Sequence, residues 1–145
     1  MVWLAYSILL DRDLAEDTAQ EAFARACEKL ADLRRSERFG VWLGSICRNE
    51  AHQVLRDRMR RRLDSEPVDG SVSPPNDADG YDYAVKHAVD QLPQMYRQIV
   101  VLHYYSDMSY EQIHEVLGIS VDCVKGRLHR ARKKIGKALE RQGFK

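Results

Sequence analysis

Apolar residues recur at intervals of three and four along almost the whole chain, the spacing that places side chains on one face of an α-helix. No stretch shows the strict alternation of apolar and polar residues that marks a half-buried β-strand. We therefore expect an all-α protein. The predicted helices cover about residues 2–10, 13–33, 36–62, 81–91, 93–105, 110–117 and 121–141.

The first two predicted helices arrange their apolar residues differently. Residues 2–10 are apolar nearly all round the helix, so this helix must be buried. The second helix begins with an acidic start signal, Asp13 followed by Glu16. Its predicted inward face is Ala15, Ala19, Phe23, Ala26 and Leu30, and its predicted outward face is Asp17, Gln20, Glu21 and Glu28.

The third helix, for which Ser36 is the predicted cap, contains two glycines. Gly40 and Gly44 would each cost about 1 kcal/mol relative to alanine inside a helix. That cost indicates either the close approach of another helix or a helix that begins later. Phe39 and Trp42 share the spacing of the apolar residues further along, so we assign them to the core rather than to base stacking.

Residues 63–80 interrupt the helical pattern. Pro, Gly, Ser and Asp dominate this stretch, and such a composition is typical of a flexible linker. We therefore expect two small helical domains with separate cores, over residues 1–62 and 81–145, joined by a flexible acidic linker.

Charge is strongly segregated, although the formal net charge is only +1. Residues 34–62 hold nine arginines against three acids, and residues 121–145 hold nine Lys and Arg against two acids. Residues 64–82 between them hold six acids and no Lys or Arg. Two basic blocks indicate two polyanion-binding surfaces, although a pair of solvated charged faces would give the same balance.

The segment after Met108 has the features of a helix-turn-helix. Ser109 and Gln112 form a capping box, Gly118 suits the turn, and Ser120 caps the last helix. Apolar residues lie on one side of that helix and basic residues on the other. A basic helix can enter the major groove of DNA, where the predicted contacts come from Lys125, Gly126, Arg127, His129, Arg130, Arg132 and Lys133.

Two stretches of the chain resemble the sigma-70 family, and within it the extracytoplasmic-function group. The first contains AEDTAQEAFARA and FGVWLGSICRNEAHQVLR, which are similar to domain 2 of the family. The second contains LPQMYRQIVVLHYYSDMSYEQIHEVLGIS and CVKGRLHRARKKI, which are similar to domain 4. The resemblance implies a non-enzymatic subunit that binds core RNA polymerase and directs it to promoter DNA.

The resemblance also implies roles for individual residues. Asp17, Gln20 and Glu21 match positions that dock on the coiled coil of the polymerase β′ subunit, while the β subunit is a further expected contact. Asn49 matches the position that captures an unstacked base of the −10 element. Nearby basic residues would hold the single strand, and the implied −10 set is Arg48, Asn49, His52, Arg56 and Arg58. The last helix would read the −35 element.

Two departures from the family pattern bear on these roles. Members carry further residues before the point that corresponds to Met1, so we expect a domain 2 that lacks its first helix. That absence would reflect a truncation, a start further upstream or a reduced domain. It would affect promoter melting more than −35 recognition. Cys123 replaces the usual threonine, which we interpret as a packing change.

Other classes of protein explain fewer of the features of this sequence. A dimeric helix-turn-helix regulator would leave the first half without a role, whereas a reduced sigma-like module would mainly bind polymerase or an anti-sigma factor. We expect no catalytic residue, cofactor or metal site, because no ligand spacing or nucleophile–base pattern occurs. Three separated cysteines and the lack of a long apolar run predict a cytoplasmic protein without membrane insertion.

Overall fold

The computed structural model describes residues 1–64 and 80–144. Every regular element within these residues is helical, as the sequence predicts. Short 3₁₀ turns at Leu30–Asp32 and Ser36–Arg38 precede the longest helix, and a π-helical turn at Val101–Tyr105 extends the fifth. The α-helices are α1 (Val2–Leu9), α2 (Arg12–Glu28), α3 (Phe39–Asp64), α4 (Gly80–Asp90), α5 (Gln94–Val100), α6 (Tyr110–Leu117) and α7 (Val121–Arg141).

The predicted linker overlaps the ends of two helices. Leu63 and Asp64 belong to α3, and Gly80 begins α4. The remainder of the predicted linker, residues 65–79, lies outside the described residues. Below, residues 1–64 are called the N-terminal half and residues 80–144 the C-terminal half.

Local sequence signals explain where α1 ends and where α2 begins. Leu10 adopts a left-handed conformation with φ of 52° and ends α1. Asp11, rather than the predicted Asp13, caps α2, since its side chain accepts a hydrogen bond from the Leu14 amide at 3.1 Å. The chain therefore turns sharply at Leu10, and α2 packs back against α1.

The prediction that the two largest residues of the inward face of α2 are buried is wrong. Phe23 is 47% exposed and Leu30 is 53% exposed. The buried face consists of small residues instead, because α1 and α3 both lie close against α2. Its members are Ala15, Thr18, Ala19, Ala22 and Ala26.

The two halves share one core, so the prediction of separate cores is wrong. Helix α1 contacts α2 and α3 on one side and α5 and the π-helical turn on the other. Leu4 and Ala5 of α1 belong to the same buried cluster as Ile99 and Leu102 of the C-terminal half. A helix that is apolar all round can be buried in this way only between two layers, which explains the composition of α1.

Gly44 marks a second close approach between the halves. A Cβ atom at this position would lie 3.4 Å from the side chains of Met108 and Val116. The glycine therefore lets α3 lie close against the helix-turn-helix, as one reading of its sequence predicted. Gly40 has no such neighbour within 4 Å.

A buried arginine joins the halves beside α1. Arg97 of α5 is only 7% exposed, and its Nε donates a hydrogen bond to the Ser7 carbonyl oxygen at 2.6 Å. Its Nη1 donates to the Leu92 carbonyl oxygen at 2.8 Å. The Ser7 carbonyl lies in the last turn of α1, where carbonyl groups lack intrahelical partners and a cation is favourable. Arg97 thus caps α1 from the opposite half.

We predict that Arg97→Met lowers the free energy of unfolding by about 2–3 kcal/mol, because it leaves the buried carbonyl oxygens of Ser7 and Leu92 without their donor. Urea unfolding followed by circular dichroism measures the loss. The exposed Arg12→Met removes the same charge from α2 and should change stability by less than about 0.5 kcal/mol. Equal losses in the two variants would contradict the role assigned to Arg97.

Candidate polymerase and nucleic-acid interfaces

The helix-turn-helix forms as the sequence predicts. Ser109 Oγ accepts a hydrogen bond from the Gln112 amide at 3.2 Å, and Gln112 Oε1 accepts one from the Ser109 amide at 2.9 Å. Gly118 ends α6 with φ of 69°. Ser120 Oγ then accepts from the Cys123 amide at 3.1 Å and starts α7. Both helices are therefore fixed at the ends that meet in the turn.

Helix α7 has one buried face and one basic, exposed face. Val124, Leu128 and Ala131 are buried against the other helices of the C-terminal half. The predicted −35 residues that lie exposed are Lys125, His129, Arg130, Arg132 and Lys133, while Gly126 and Arg127 are half-buried. The structure therefore leaves five of the seven predicted DNA-contacting residues accessible on α7, with Gly126 and Arg127 less accessible.

Gly126 makes room for an arginine on this face. The guanidinium of Arg130 lies over it, and a Cβ atom at position 126 would be 3.4 Å from Arg130 Nη2. Long side chains on a helix lean toward its N-terminus. Arg130 therefore extends toward the first turn of α7, the part of a recognition helix that reaches base edges.

The predicted −10 residues on α3 are in different environments. Asn49 and Arg56 are exposed, whereas Arg48 and His52 are half-buried. At about 100° per residue, Asn49, His52 and Arg56 lie on one side of the helix. Arg58 lies on the opposite side, where its Nη1 donates to the Leu9 carbonyl oxygen at 3.3 Å. The structure therefore brings Asn49, His52 and Arg56 together but places Arg58 away from them.

Burial also affects which side chains carry the positive charge on this side of α3. The pKa of His52 is lowered by burial, and Arg48 and Arg56 lower it further by repulsion. Both effects favour the neutral imidazole of His52, so the positive charge of this side comes from the arginines. Burial also lowers the pKa of Arg48, whose Nε donates to Gln98 Oε1 of the C-terminal half at 3.4 Å.

A basic groove lies beside the N-terminal end of α3. It has a volume of about 480 Å³ and is lined by Arg34, Arg35, Arg38, Trp42 and Glu115, among others. Arg38 forms an ion pair with Glu115 of α6. In the sequence these arginines stand out only as part of a basic block, because no motif marks them. Trp42 is half-buried and Phe39 is 39% exposed, so neither is fully in the core as predicted.

The predicted polymerase-docking residues lie on an open face of α2. Asp17, Gln20 and Glu21 are all exposed. Glu21 pairs with Arg25 at 3.7 Å, and Arg25 also pairs with Glu50 of α3 at 2.8 Å. The exposed Phe23 lies beside Gln20 on the helix, so the face offers an acidic and an apolar part.

No group of three or more His, Cys, Asp or Glu residues is placed to hold a metal ion among residues 1–64 and 80–144. Within the same residues, no helix is long and apolar enough to span a bilayer.

The chain has the two conserved regions of bacterial sigma factors in their usual order. The family model for sigma-70 region 2 matches residues 1–61, and the model for sigma-70 region 4 matches residues 82–135. The two matches include the acidic face of α2, the basic helix α3 and the helix-turn-helix. This protein belongs to the sigma-70 family and is a sigma factor of the extracytoplasmic-function type.

Relatives and solved structures agree with this assignment. The ECF RNA polymerase sigma factor SigW of Bacillus subtilis is 30% identical over 155 residues, covering 94% of this chain and 81% of SigW. A protein of Xanthomonas campestris named "Probable RNA polymerase sigma factor RfaY" is 34% identical over 140 residues, but this chain spans only 35% of its length. The structure of the sigma factor RpoE in complex with the anti-sigma factor NepR from Bartonella quintana has a TM-score of 0.81 at 27% identity, covering 94% of this chain and 88% of RpoE.

Proposed function

We propose that this sigma factor binds core RNA polymerase through α2 and reads the −10 and −35 promoter elements through α3 and α7. The main support for the proposal is that one chain carries two accessible surfaces of opposite charge. These are the basic face of α7, within a helix-turn-helix whose two helices are both capped, and the acidic face of α2. A duplex-binding regulator has no need of the second surface. The protein acts in the cytoplasm, where core polymerase is located.

Run-off transcription tests the function as a whole. The full chain, added to purified core polymerase and a library of random-sequence templates, should yield transcripts from a subset that shares two spaced elements. Core polymerase alone provides the background. If the chain instead binds a two-fold symmetric duplex without polymerase and adds no transcripts, it is a dimeric regulator rather than a sigma factor.

The acidic face of α2 is the proposed site for the β′ coiled coil. Asp17 and Glu21 lie one helical turn apart and are exposed, so a basic helical partner can approach both. Charges of this kind act mainly on the association rate and on salt sensitivity. The β subunit is a further proposed contact of the bound chain.

We predict that Asp17→Lys and Glu21→Lys each weaken binding to core polymerase several-fold at low salt, and that the difference shrinks as salt is raised. Titration of core polymerase with fluorescently labelled chain measures the affinity. Glu37→Lys is the matched control, because this exposed residue lies outside α2 and its substitution changes the net charge by the same amount. If the control weakens binding as much as the two variants, the effect is one of net charge and the docking face is elsewhere.

Asn49 is the proposed base-capturing residue of the −10 surface. Its amide can both donate and accept along a base edge, and its exposure on α3 leaves it accessible to an unstacked base. Arg56 on the same side is placed to hold a phosphate of the strand. Arg48 and His52 flank them and are half-buried, while Arg58 is the −10 residue for which the structure offers the least support.

We predict that Asn49→Ala reduces open-complex formation by about 1–3 kcal/mol, by analogy with other base-edge contacts, while closed-complex binding persists. Permanganate reactivity of thymines in the bubble measures opening, and gel shift measures binding. Gln91→Ala, which removes an exposed amide beyond the end of α4 in the other half, is the control and should open the promoter normally. Normal opening by the Asn49 variant would refute the assignment.

The −35 surface on α7 combines base-reading and phosphate-contacting residues. Lys125 and Arg130 are exposed near the first turns of α7, the region nearest the base edges. Arg132 and Lys133 lie further along the exposed side, while Gly126, Arg127 and His129 complete the surface. Residues further from the base edges are better suited to phosphate contact.

We predict that Lys125→Ala or Arg130→Ala costs about 1–3 kcal/mol and relaxes sequence preference at one position, whereas Arg132→Ala weakens binding to all sequences and lowers the salt slope by about one. Holoenzyme binding to a library-selected −35 duplex and to its scrambled form, over a range of salt, separates the two patterns. Arg141→Ala, on the last turn of α7, is the control. Unchanged preference in both the Lys125 and the Arg130 variants would contradict the recognition surface.

An anti-sigma factor is a further proposed partner. RpoE, which shares the arrangement of both halves at a TM-score of 0.81, was solved in complex with one. In this chain the contact between Gln98 and Arg48 and the ion pair between Glu115 and Arg38 already bring the C-terminal half over part of α3. A protein that stabilised this arrangement would keep the −10 surface partly covered.

A further inference from the structure

We propose that Tyr104 is a positioning residue for −35 DNA, because its hydroxyl holds the Arg132 guanidinium on the exposed face of α7. Arg132 Nε donates a hydrogen bond to Tyr104 Oη at 2.6 Å. The Arg132 Cζ atom also lies 5.6 Å from the centre of the Tyr104 ring. The inference rests on the proposed −35 role of α7 and adds to it a residue outside the helix-turn-helix.

The π-helical turn is what brings Tyr104 to this place. The Ser106 amide donates to the Val101 carbonyl oxygen at 3.1 Å, five residues earlier, so one residue more than in an α-helix fits within the turn. Consecutive tyrosines then point to different partners. Tyr105 stacks on Trp3 of α1 at 5.2 Å between ring centres, while Tyr104 reaches α7.

His103 supports the Tyr104 ring from the other side. The rings of His103 and Tyr104 meet edge to face with centres 4.9 Å apart. His103 Nδ1 is in turn hydrogen-bonded to the Met108 carbonyl oxygen at 3.1 Å, immediately before the capping box of α6. The tyrosine is therefore held by the start of the helix-turn-helix rather than being free to follow Arg132.

The geometry of the pair leaves the arginine able to bind phosphate. A guanidinium contacts a phosphate in a bidentate manner, and the two Nη atoms can provide both donors without Nε. The hydrogen bond to Tyr104 uses Nε and fixes the plane of the group before DNA arrives. Ordering a long side chain in advance removes part of the entropy that binding would otherwise cost.

The environment of the pair favours the charged arginine. The hydrogen bond to Tyr104 raises the pKa of Arg132, and burial opposes this only weakly because the side chain is exposed. A hydroxyl that accepts a bond from a cation also becomes a better donor. Tyr104 is 51% exposed, and in this proposal its hydroxyl orients Arg132 rather than contacting the DNA itself.

A double-mutant cycle on the full chain in the holoenzyme tests the proposal, with the library-selected −35 duplex and its scrambled form as probes. Tyr104→Phe should weaken binding to both duplexes about three- to tenfold, since it removes one hydrogen bond and keeps the ring. Arg132→Ala should weaken binding at least as much. In the Arg132→Ala background, Tyr104→Phe should add less than about twofold, because its effect acts through Arg132.

Two further variants separate positioning from a general structural role. Tyr105→Phe removes a neighbouring hydroxyl from the same turn and should leave DNA binding unchanged. Arg132→Lys keeps the charge but has no Nε group, so in this background too Tyr104→Phe should have little effect. Circular dichroism melting should show that Tyr104→Phe unfolds at the temperature of the parent chain.

The outcomes distinguish this proposal from the proposed function. If Tyr104→Phe leaves affinity unchanged, or if its effect multiplies with that of Arg132→Ala, Tyr104 does not act through Arg132 and the proposal is wrong. In that case a loss of preference in the Lys125 and Arg130 variants would still support the −35 role of α7. If the parent holoenzyme does not prefer the selected duplex, the −35 role itself fails and this proposal fails with it.

Discussion

Helix α1 buries Leu4, Ala5, Ile8 and Leu9, and this burial determines how the two halves of the protein are arranged. Helices α2 and α3 of the N-terminal half pack against α1, and so does α5 of the other half, with Leu4, Ala5 and Ile99 in one buried cluster. Arg97 completes the arrangement by donating to the Ser7 carbonyl oxygen at the end of α1. A buried guanidinium that loses these acceptors is costly, so the polar contact and the apolar packing favour the same closed structure.

The three proposed surfaces differ in how exposed they are to solvent when the two halves are packed together. The acidic face of α2 and the basic face of α7 remain open to solvent. On the −10 side of α3, Asn49 and Arg56 are exposed, whereas Arg48 is half-buried and contacts Gln98 of the C-terminal half. The surfaces proposed for polymerase docking and −35 reading are therefore accessible in the free chain, and in the proposed −10 surface the C-terminal half contacts only the Arg48 end.

Local sequence signals predicted the local structure well. The capping box at Ser109, the turn at Gly118 and the buried face at Val124 and Leu128 all depend on residues within one or two helical turns of each other. The linker composition led to the wrong expectation of separate cores, because the apolar pattern of α1 predicts burial but does not identify which helices of residues 1–64 and 80–144 cover it. Tyr104 was missed for the same reason, since its partner Arg132 lies 28 residues away and the π-helical turn has no sequence signature.

Helix α1 joins the N-terminal and C-terminal halves through one buried cluster, so the two halves should form one cooperative unit. Native-state hydrogen exchange in increasing denaturant tests it most directly, because it reports the opening free energy of each amide. Amides of α1, α3 and α5 should converge on the same opening free energy and the same denaturant dependence, as parts of one unit do. If the α5 and α7 amides opened at a distinctly lower free energy than those of α1 and α3, the halves would unfold separately and the shared core would be contradicted.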